Sequence, residues 1–142
     1  MQGKAVLTTG AIIFNNKAQV LLVRHTKKAT HLTDTYGVPA GRPDRNEKSI
    51  EACIREVKEE TGLTISAKNL KLLPHIYSAE VERKDGKKIF SLIAYYTTRF
   101  TGKPEAKNET VPEWIDMKNI GKINLLGNQG EMILEAYSLI GA

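Results

Sequence analysis

Apolar and polar positions alternate in blocks along the first part of the chain, and two apolar blocks predict strands. They cover residues 5–14 (AVLTTGAIIF) and 19–25 (QVLLVRH), with the polar Asn15-Asn16-Lys17 between them. Because β-rich runs joined by a short polar turn are typical of hairpins, we expect these strands to pair. Residues 26–37 are polar and predict an irregular loop. The loop continues over residues 38–43, where two prolines and a glycine exclude a helix interior.

A helix is predicted over residues 47–61. Its apolar residues recur at the i, i+3, i+4 and i+7 positions of one helical face: Ile50, Cys53, Ile54 and Val57. Asn46 or Ser49 is expected to cap the start, because short polar side chains accept hydrogen bonds from the first turn. Gly62 is expected to end the helix, because glycine readily adopts the left-handed conformation of C-terminal caps.

The second half of the chain predicts mainly extended structure. Residues 63–77 are expected to be extended. Residues 79–83 and 89–100 (IFSLIAYYTTRF) are expected to form a hairpin around Asp85-Gly86, a typical turn dipeptide. A further short strand is predicted over residues 114–117.

A last helix is predicted over residues 129–140. Its inward-facing residues are expected to be Met132, Ile133, Ala136, Tyr137 and Ile140. Helices mixed with antiparallel hairpins indicate an α+β fold with a mixed β-sheet between helices. The 142 residues fit a single domain over residues 1–142, which can bury a core without disulfides.

Composition indicates the cellular compartment in which the protein is expected to occur. Cys53 is the only cysteine, so no internal disulfide can form, and we expect it to be a small buried residue. The sequence has no signal-peptide core and no apolar run near the roughly 18 residues of a membrane helix. We therefore expect a cytoplasmic protein that does not contact a membrane.

The net charge of +5 leaves two explanations open. Positive charge can attract a polyphosphate ligand, but scattered surface charge is the commoner case. No basic stripe with interleaved aromatic residues occurs, so no stable nucleic-acid partner is expected. Both a monomer and a homodimer remain open.

Three glutamates of the predicted helix carry the main chemical signal. With about 100° of rotation per residue, Glu60 lies about 40° from Glu56 on the helix surface, and Glu59 lies about 60° on the other side. The like charges of Glu56 and Glu60 cost roughly 0.2–0.5 kcal/mol on an exposed helix, which a divalent cation would offset. A solvated acidic face is the alternative, supported by the opposite-sign pairs Glu51–Arg55 and Arg55–Glu59.

The spacing around these glutamates is more specific. Residues 41–63 (GRPDRNEKSIEACIREVKEETGL) match the pattern GX5EX7REUXEEXGU, in which U is aliphatic, at every specified position. The matching residues are Gly41, Glu47, Arg55, Glu56, Val57, Glu59, Glu60, Gly62 and Leu63. The segment therefore resembles the Nudix box of the Nudix (MutT-like) hydrolases, a motif that rarely matches by chance.

The resemblance implies a Nudix-type α/β/α sandwich whose loop–helix–loop binds Mg²⁺, with Mn²⁺ as an alternative. The implied metal ligands are the carboxylates of Glu56, Glu59 and Glu60 and the backbone carbonyl of Gly41. Glu56 is also expected to help activate water, Arg55 to hold the glutamates in place, and Glu47 to support the cluster. A bound Mg²⁺ neutralises phosphate oxygens and lowers the pKa of a water ligand, whose proton a carboxylate then accepts.

A second resemblance lies outside the box. Residues 102–114 (GKPEAKNETVPEW) resemble the segment that supplies an extra catalytic acid in MutT-like members. Glu109 is the first candidate and Glu113 the second, although a gapless match to the pattern places Asn108 at the acidic position. For both glutamates the alternative is a surface position in a loop.

Three residues are candidates for substrate binding, each with a structural alternative. Arg24 is expected to clamp a phosphate or to lie on the surface of its strand. Tyr36 is expected to stack on a base or to pack against the protein. Asn128 resembles the base-binding asparagine of triphosphate-cleaving members, and its place before the last helix also suits a cap. The three histidines are too scattered along the chain to indicate a metal site.

The leading hypothesis is a Mg²⁺-dependent pyrophosphohydrolase that cleaves a nucleotide or another nucleoside diphosphate derivative. The single short domain and Asn128 favour a nucleoside triphosphate, split into monophosphate and pyrophosphate. The enzyme alternative is an ADP-ribose or dinucleotide diphosphatase. A third hypothesis is a sensor of the same fold that binds a nucleotide without cleaving it, which the complete set of box glutamates disfavours.

Overall fold

The computed structural model describes residues 4–141, which form eight strands and two α-helices. The strands are β1 (Val6–Ile13), β2 (Gln19–His25), β3 (Tyr36–Gly37), β4 (Ala40–Gly41), β5 (Lys71–Leu72), β6 (Tyr77–Arg83), β7 (Gly86–Thr97) and β8 (Thr110–Asp116). The α-helices are α1 (Ser49–Thr61) and α2 (Gln129–Leu139), and 3₁₀ turns cover Ala67–Asn69 and Met117–Lys122. No helix within residues 4–141 is long and apolar enough to cross a membrane.

The strands form two sheets. In the larger sheet the order is β4-β1-β7-β5, and β6 pairs with the first half of β7. β1 and β7 run parallel, whereas the other pairs of this sheet are antiparallel, so the sheet is mixed. The smaller sheet has the order β3-β2-β8 and antiparallel pairs. The predicted α+β class is confirmed.

Alternate residues of β1 and β2 supply two separate layers of the core. One layer packs against α2 and contains Ile12, Phe14, Leu22, Met132, Ile133 and Ala136. The other packs against α1 and contains Ala11, Ile13, Leu21, Cys53, Val57 and Leu63. Because neighbouring side chains of a strand point to opposite faces, the same strands feed both layers and lie between the helices. This is the predicted sandwich.

The predicted hairpin of the first two strands is wrong, although both strands lie close to their expected positions. β1 and β2 are bridged only between Phe14 and Val20, beside the turn. Beyond that bridge β1 lies between β4 and β7, and β2 lies between β3 and β8. Both edges of each strand are therefore occupied by partners from elsewhere in the chain.

The second hairpin is confirmed with a shifted register. β6 and β7 pair from Arg83 and Gly86 outward, and Gly86 has a φ of 108°. The turn therefore consists of Lys84 and Asp85, and β7 covers Gly86–Thr97 instead of the predicted 89–100. The strand keeps its predicted length of 12 residues and is shifted by three positions, and it pairs with β5, β6 and β1.

Three other boundaries differ from prediction. Residues 63–77 are not extended throughout, since a 3₁₀ turn and the short β5 interrupt them. The strand predicted over 114–117 is β8, which starts at Thr110 and ends before Met117 enters a 3₁₀ turn. The last helix ends at Leu139, with Ile140 still packed against the core.

Candidate active site

Helix α1 places the glutamates of the box on one rigid element. It ends at Gly62, whose φ of 84° is the predicted left-handed cap and whose N–H donates to the Lys58 carbonyl. Its start differs from prediction. Neither Asn46 nor Ser49 caps the first turn. Instead, the Glu51 carboxylate accepts the N–H of Lys48, the N-cap residue.

The two-residue strand β4 lies against Glu56 and Glu60. The Ala40 N–H donates to Glu60 Oε1 over 2.7 Å. A Cβ atom added at Gly41 would overlap the carboxylate of Glu56, so this position accepts only glycine without displacing that side chain. The close approach explains the glycine at the first position of the box and brings its backbone beside two acidic side chains.

Arg55 binds the acidic side chains around it. Its Nε and Nη2 donate to the two oxygens of Glu47, each over 2.9 Å. Its Nη1 donates to Glu56 over 2.9 Å and to Glu59 over 3.2 Å. A further bond runs from Nη2 to the carbonyl of Arg42 over 3.1 Å. These charge-assisted bonds orient Glu47, Glu56 and Glu59 towards one guanidinium, as the sequence suggested.

Glu60, which Arg55 does not contact, is more deeply buried than the other glutamates of the box. Burial raises the pKa of Glu60 to about 8, and the charges of Glu56, Glu59 and Glu109 act in the same direction, against the Ala40 hydrogen bond. Burial also raises the pKa of Glu56, although Arg55 opposes that shift. Ionisation of these two carboxyl groups is therefore unfavourable where α1 faces β4, and a bound cation would favour their ionised forms.

The donor set suits a hard cation by its chemistry, because it consists of carboxylate oxygens beside the backbone of Gly41. The carboxylates of this set lie too far apart to surround an ion as they stand. Within residues 4–141, no three His, Cys, Asp or Glu side chains converge tightly enough to enclose an ion. Arg55 holds Glu56 and Glu59, while Glu60 turns to Ala40, so a bound ion would have to draw these carboxylates together.

A cavity of about 200 Å³ opens beside Glu60. One wall contains Glu60 and the backbone of β4, and the opposite wall is the inner face of the β6–β7 hairpin. The segment before α2 closes the third side with residues 126–129. Of the acids of α1, Glu60 therefore lines a pocket that also contacts residues of both β-hairpin strands β6 and β7.

Glu113 is engaged by two of the residues predicted to bind substrate. Arg24 Nε donates to Glu113 over 2.8 Å, and the Tyr36 hydroxyl donates to it over 3.1 Å. Arg24 also donates to Asp34 over 3.2 Å. Neither Arg24 nor Tyr36 lines the cavity, so their structural alternatives are favoured. Glu109 is exposed and does not line the cavity either, but its negative charge contributes to the raised pKa of Glu60.

Asn128 lines the cavity, as expected for a residue that contacts substrate. It stands at the N-cap position of α2, but its side chain makes no cap hydrogen bond, so the predicted cap is wrong. Its Nδ2 instead donates to the carbonyl of Ser78 on β6 over 3.2 Å. The neighbouring Gln129 accepts the Val38 N–H over 2.8 Å, which ties α2 to the loop before β4.

The tertiary structure assembles a polar cluster that sequence reasoning missed. The rings of His25 and His31 lie 4.5 Å apart, and His31 lies 6.0 Å from the ring of Phe90. The guanidinium of Arg83 lies over Phe90 at 5.5 Å. No motif links these residues along the chain. His75 lies apart from them and pairs with Glu135.

Comparison with known proteins shows which protein family the sequence matches. The family model described as NUDIX domain matches residues 4–135. The m7GpppN-mRNA hydrolase of Saccharomyces cerevisiae is 37% identical over an alignment of 125 residues that covers 84% of this chain and 12% of that protein. The 8-oxo-dGDP phosphatase NUDT18 of Danio rerio is 44% identical over an alignment of 57 residues that covers 38% of this chain and 16% of that protein. The chain thus spans a small part of the length of these curated relatives.

A solved structure supports the fold independently. The crystal structure of the MutT NUDIX hydrolase from Burkholderia pseudomallei superposes with a TM-score of 0.74. The match covers 94% of this chain and 98% of that one, at 20% sequence identity. At this identity the similarity concerns the fold and carries no information about the substrate.

Proposed function

The chain belongs to the NUDIX domain family, and on that premise we propose that it is a Mg²⁺-dependent hydrolase of phosphoric anhydride bonds. Its substrate would be a nucleoside triphosphate, which it would split into the monophosphate and pyrophosphate. The observation that carries the proposal is the position of Glu56 and Glu60. Both face β4, and Glu60 lies at the end of a cavity in which a nucleotide would place its phosphates.

Glu56, Glu59 and Glu60, with the carbonyl of Gly41, would hold the metal. When bound, Mg²⁺ supplies positive charge to the phosphate oxygens and acidifies a water molecule. Glu56 is suited to accept the proton of that water, because burial raises the pKa of its carboxyl towards the range of an effective base. Arg55 keeps that carboxylate oriented through its 2.9 Å hydrogen bond.

Glu109 is the better candidate for an additional acid or base. Its negative charge acts to raise the pKa of Glu60 and of His25, two residues that line the cavity, although Glu109 itself does not. Glu113, by contrast, already accepts hydrogen bonds from Arg24 and Tyr36. A carboxylate that holds two partners is less free to exchange a proton with substrate. We therefore assign Glu109 the assisting role and Glu113 a structural one.

The size of the cavity supports a mononucleotide. Its 200 Å³ lies below the roughly 300–1,000 Å³ of sites that enclose a drug-sized ligand, so it suits one ring system and its sugar. Asn128 lines it and offers an amide that can donate to a base or accept from it. The phosphates would then extend past Glu60 towards Glu56.

A second candidate substrate is a dinucleotide that carries a polyphosphate bridge, including an RNA cap. The relative that matches 84% of this chain is named as an m7GpppN-mRNA hydrolase. A groove next to the cavity is lined by one acidic residue, Glu80, and by four basic residues, Lys4, Arg42, Lys87 and Lys88. Arg42 lines both the groove and the cavity. Such a groove would bind the second nucleotide or the following phosphates.

A product screen separates these substrates. The protein would be incubated with Mg²⁺ and each nucleoside triphosphate, ADP-ribose, a dinucleoside tetraphosphate and a capped dinucleotide, and products would be separated by ion-exchange chromatography. We expect a triphosphate to be cleaved fastest, with pyrophosphate as product. Faster cleavage of a dinucleotide or cap by a hundredfold would replace the triphosphate proposal. Absence of all cleavage would refute hydrolysis itself.

A further inference from the structure

The cavity continues beyond Glu60 to a layered cluster of His31, Phe90 and Arg83. The guanidinium of Arg83 covers the ring of Phe90, and the ring of His31 is tilted by 47° against the same ring. All three residues line the cavity. Flat groups of this kind offer stacking surfaces to a planar ligand, and arginine adds a cation–π contribution.

Two polar atoms of this cluster have no hydrogen-bond partner. They are His31 Nδ1 and Arg83 Nε, both of which are buried and unpartnered among residues 4–141. The nearest carboxylate to Arg83 Nε is Asp85, at 3.5 Å, which is too long for a directional hydrogen bond. Both atoms are enclosed by the protein, so a ligand cannot reach them, and they leave these two side chains without internal hydrogen bonds at those positions. The other ring nitrogen of His31 and the Nη atoms of Arg83 are not enclosed in this way and are the groups that a ligand in the cavity can contact.

The groups around His31 indicate which kind of ligand this part of the cavity would bind. Burial lowers the pKa of His31 to about 4, and the neighbouring His25 and Arg83 add to the shift, so its imidazole is neutral at pH 7. A neutral imidazole can accept a hydrogen bond at one nitrogen and donate at the other. The adjoining walls are apolar and include Val81 and Leu92. A planar ring with polar edges suits the flat side chains, the apolar walls and the neutral imidazole at this end of the cavity.

The loop that carries His31 is held in place before any ligand binds. Lys84, in the turn between β6 and β7, donates through Nζ to the carbonyls of Lys27 and Ala29, over 2.9 Å each. Its backbone N–H donates to the Thr30 carbonyl over 3.0 Å. Binding therefore does not require the loop to become ordered, which favours affinity and discrimination.

We propose that His31 and Arg83 form the nucleobase subsite of this protein and are specificity-determining residues. The base would lie against these flat groups and form hydrogen bonds with them along its edge. The proposal rests on the proposed function, because it assumes a nucleotide whose phosphates lie at the Glu60 end of the cavity.

Binding measurements on three variants test this subsite. Arg83→Met keeps the length of the side chain without its planar donors, and His31→Phe keeps a ring without its nitrogens. Arg99→Met is the matched control, since Arg99 is exposed and does not line the cavity. Calorimetry would give the Kd of each nucleoside monophosphate and of pyrophosphate, all with Mg²⁺.

We expect Arg83→Met and His31→Phe to weaken monophosphate binding by at least about tenfold, the usual scale for a lost buried hydrogen bond. Pyrophosphate binding should stay within about twofold, because that ligand has no base, and Arg99→Met should change neither. A general loss of structure would weaken both ligands together and would be visible in a thermal melt. If Arg83→Met does not fold, His31→Phe decides the question.

Three results would overturn the subsite. They are unchanged monophosphate binding in the folded variants, an equal loss of pyrophosphate binding in Arg83→Met, and no monophosphate binding by the wild type. The proposed function fails separately. If the wild type cleaves no nucleotide but Arg83→Met and His31→Phe still lose monophosphate binding selectively, the subsite stands and hydrolysis is refuted.

Discussion

Replacing Glu60 by glutamine tests the centre of the proposed mechanism. Glutamine has nearly the same shape, and its carbonyl oxygen can still accept the Ala40 N–H that Glu60 accepts over 2.7 Å. The change removes one negative charge from the proposed metal ligands, and Mg²⁺ tolerates poor ligands badly. We expect kcat to fall at least about a hundredfold, which corresponds to roughly 2.7 kcal/mol of transition-state stabilisation.

The same variant should be more stable than the wild type when metal is absent. Burial raises the pKa of Glu60 to about 8, whereas the unfolded chain has an ordinary value near 4.5. Between these values the folded protein binds the extra proton, so its stability falls as pH rises from about 4.5 to 8. Glutamine abolishes that loss. We expect a gain on the order of 2 kcal/mol at pH 8 in EDTA, and little difference near pH 4.5.

Two assays and one control decide the outcome. Steady-state kinetics at saturating Mg²⁺ measure kcat, and thermal melts in EDTA across the pH range measure stability. Glu51→Gln is the matched control, because Glu51 lies exposed on the same helix and points to the N-cap instead of β4. It should change kcat by less than about twofold, as is usual for a surface substitution. Wild-type turnover by Glu60→Gln would remove this residue from the metal site.

Three further predictions follow from other contacts. Gly41→Ala should lower kcat and also destabilise the fold by more than about 1 kcal/mol in a denaturant melt, because its Cβ would overlap a carboxylate of α1; unchanged activity would show that this approach is dispensable. Glu109→Gln should lower kcat by at least about tenfold and Glu113→Gln by much less; the opposite order in steady-state assays would exchange their roles. Since burial lowers the pKa of His31 to about 4, the unfolded chain takes up that proton first, and stability should fall as pH drops from about 6.5 to 4. Melts of His31→Phe should show a shallower slope over that window, and an equal slope would assign the effect to other groups.

The sequence was sufficient where the governing interactions are local. The helix of the box was predicted because apolar side chains at i, i+3, i+4 and i+7 must share a face, and Gly62 was predicted to end it because few other residues accept a φ of 84°. The approximate positions of β1, β2, β6 and β7 followed from β-rich composition in the same way, whereas the short β3 and β4 lie in a segment that was predicted to be a loop. The spacing of the box also identified the residues that surround Arg55, since helix geometry brings Glu59 within its reach.

Only the tertiary structure decided which distant segments meet. β1 and β2 were expected to pair with each other, but each pairs on both edges with strands from elsewhere in the chain. The hydrophobic pattern indicates that a strand is buried, but it does not identify the strand that pairs with it. From the sequence alone, Arg24 is a candidate for binding a phosphate group. In the folded protein it donates to Glu113 instead, because β2 pairs with β8. The cluster of His31 and Arg83 depends on a loop that meets a remote hairpin. Such contacts form between groups far apart in sequence, where no local rule of backbone geometry applies, so the chain determines them only through the packing of the whole fold.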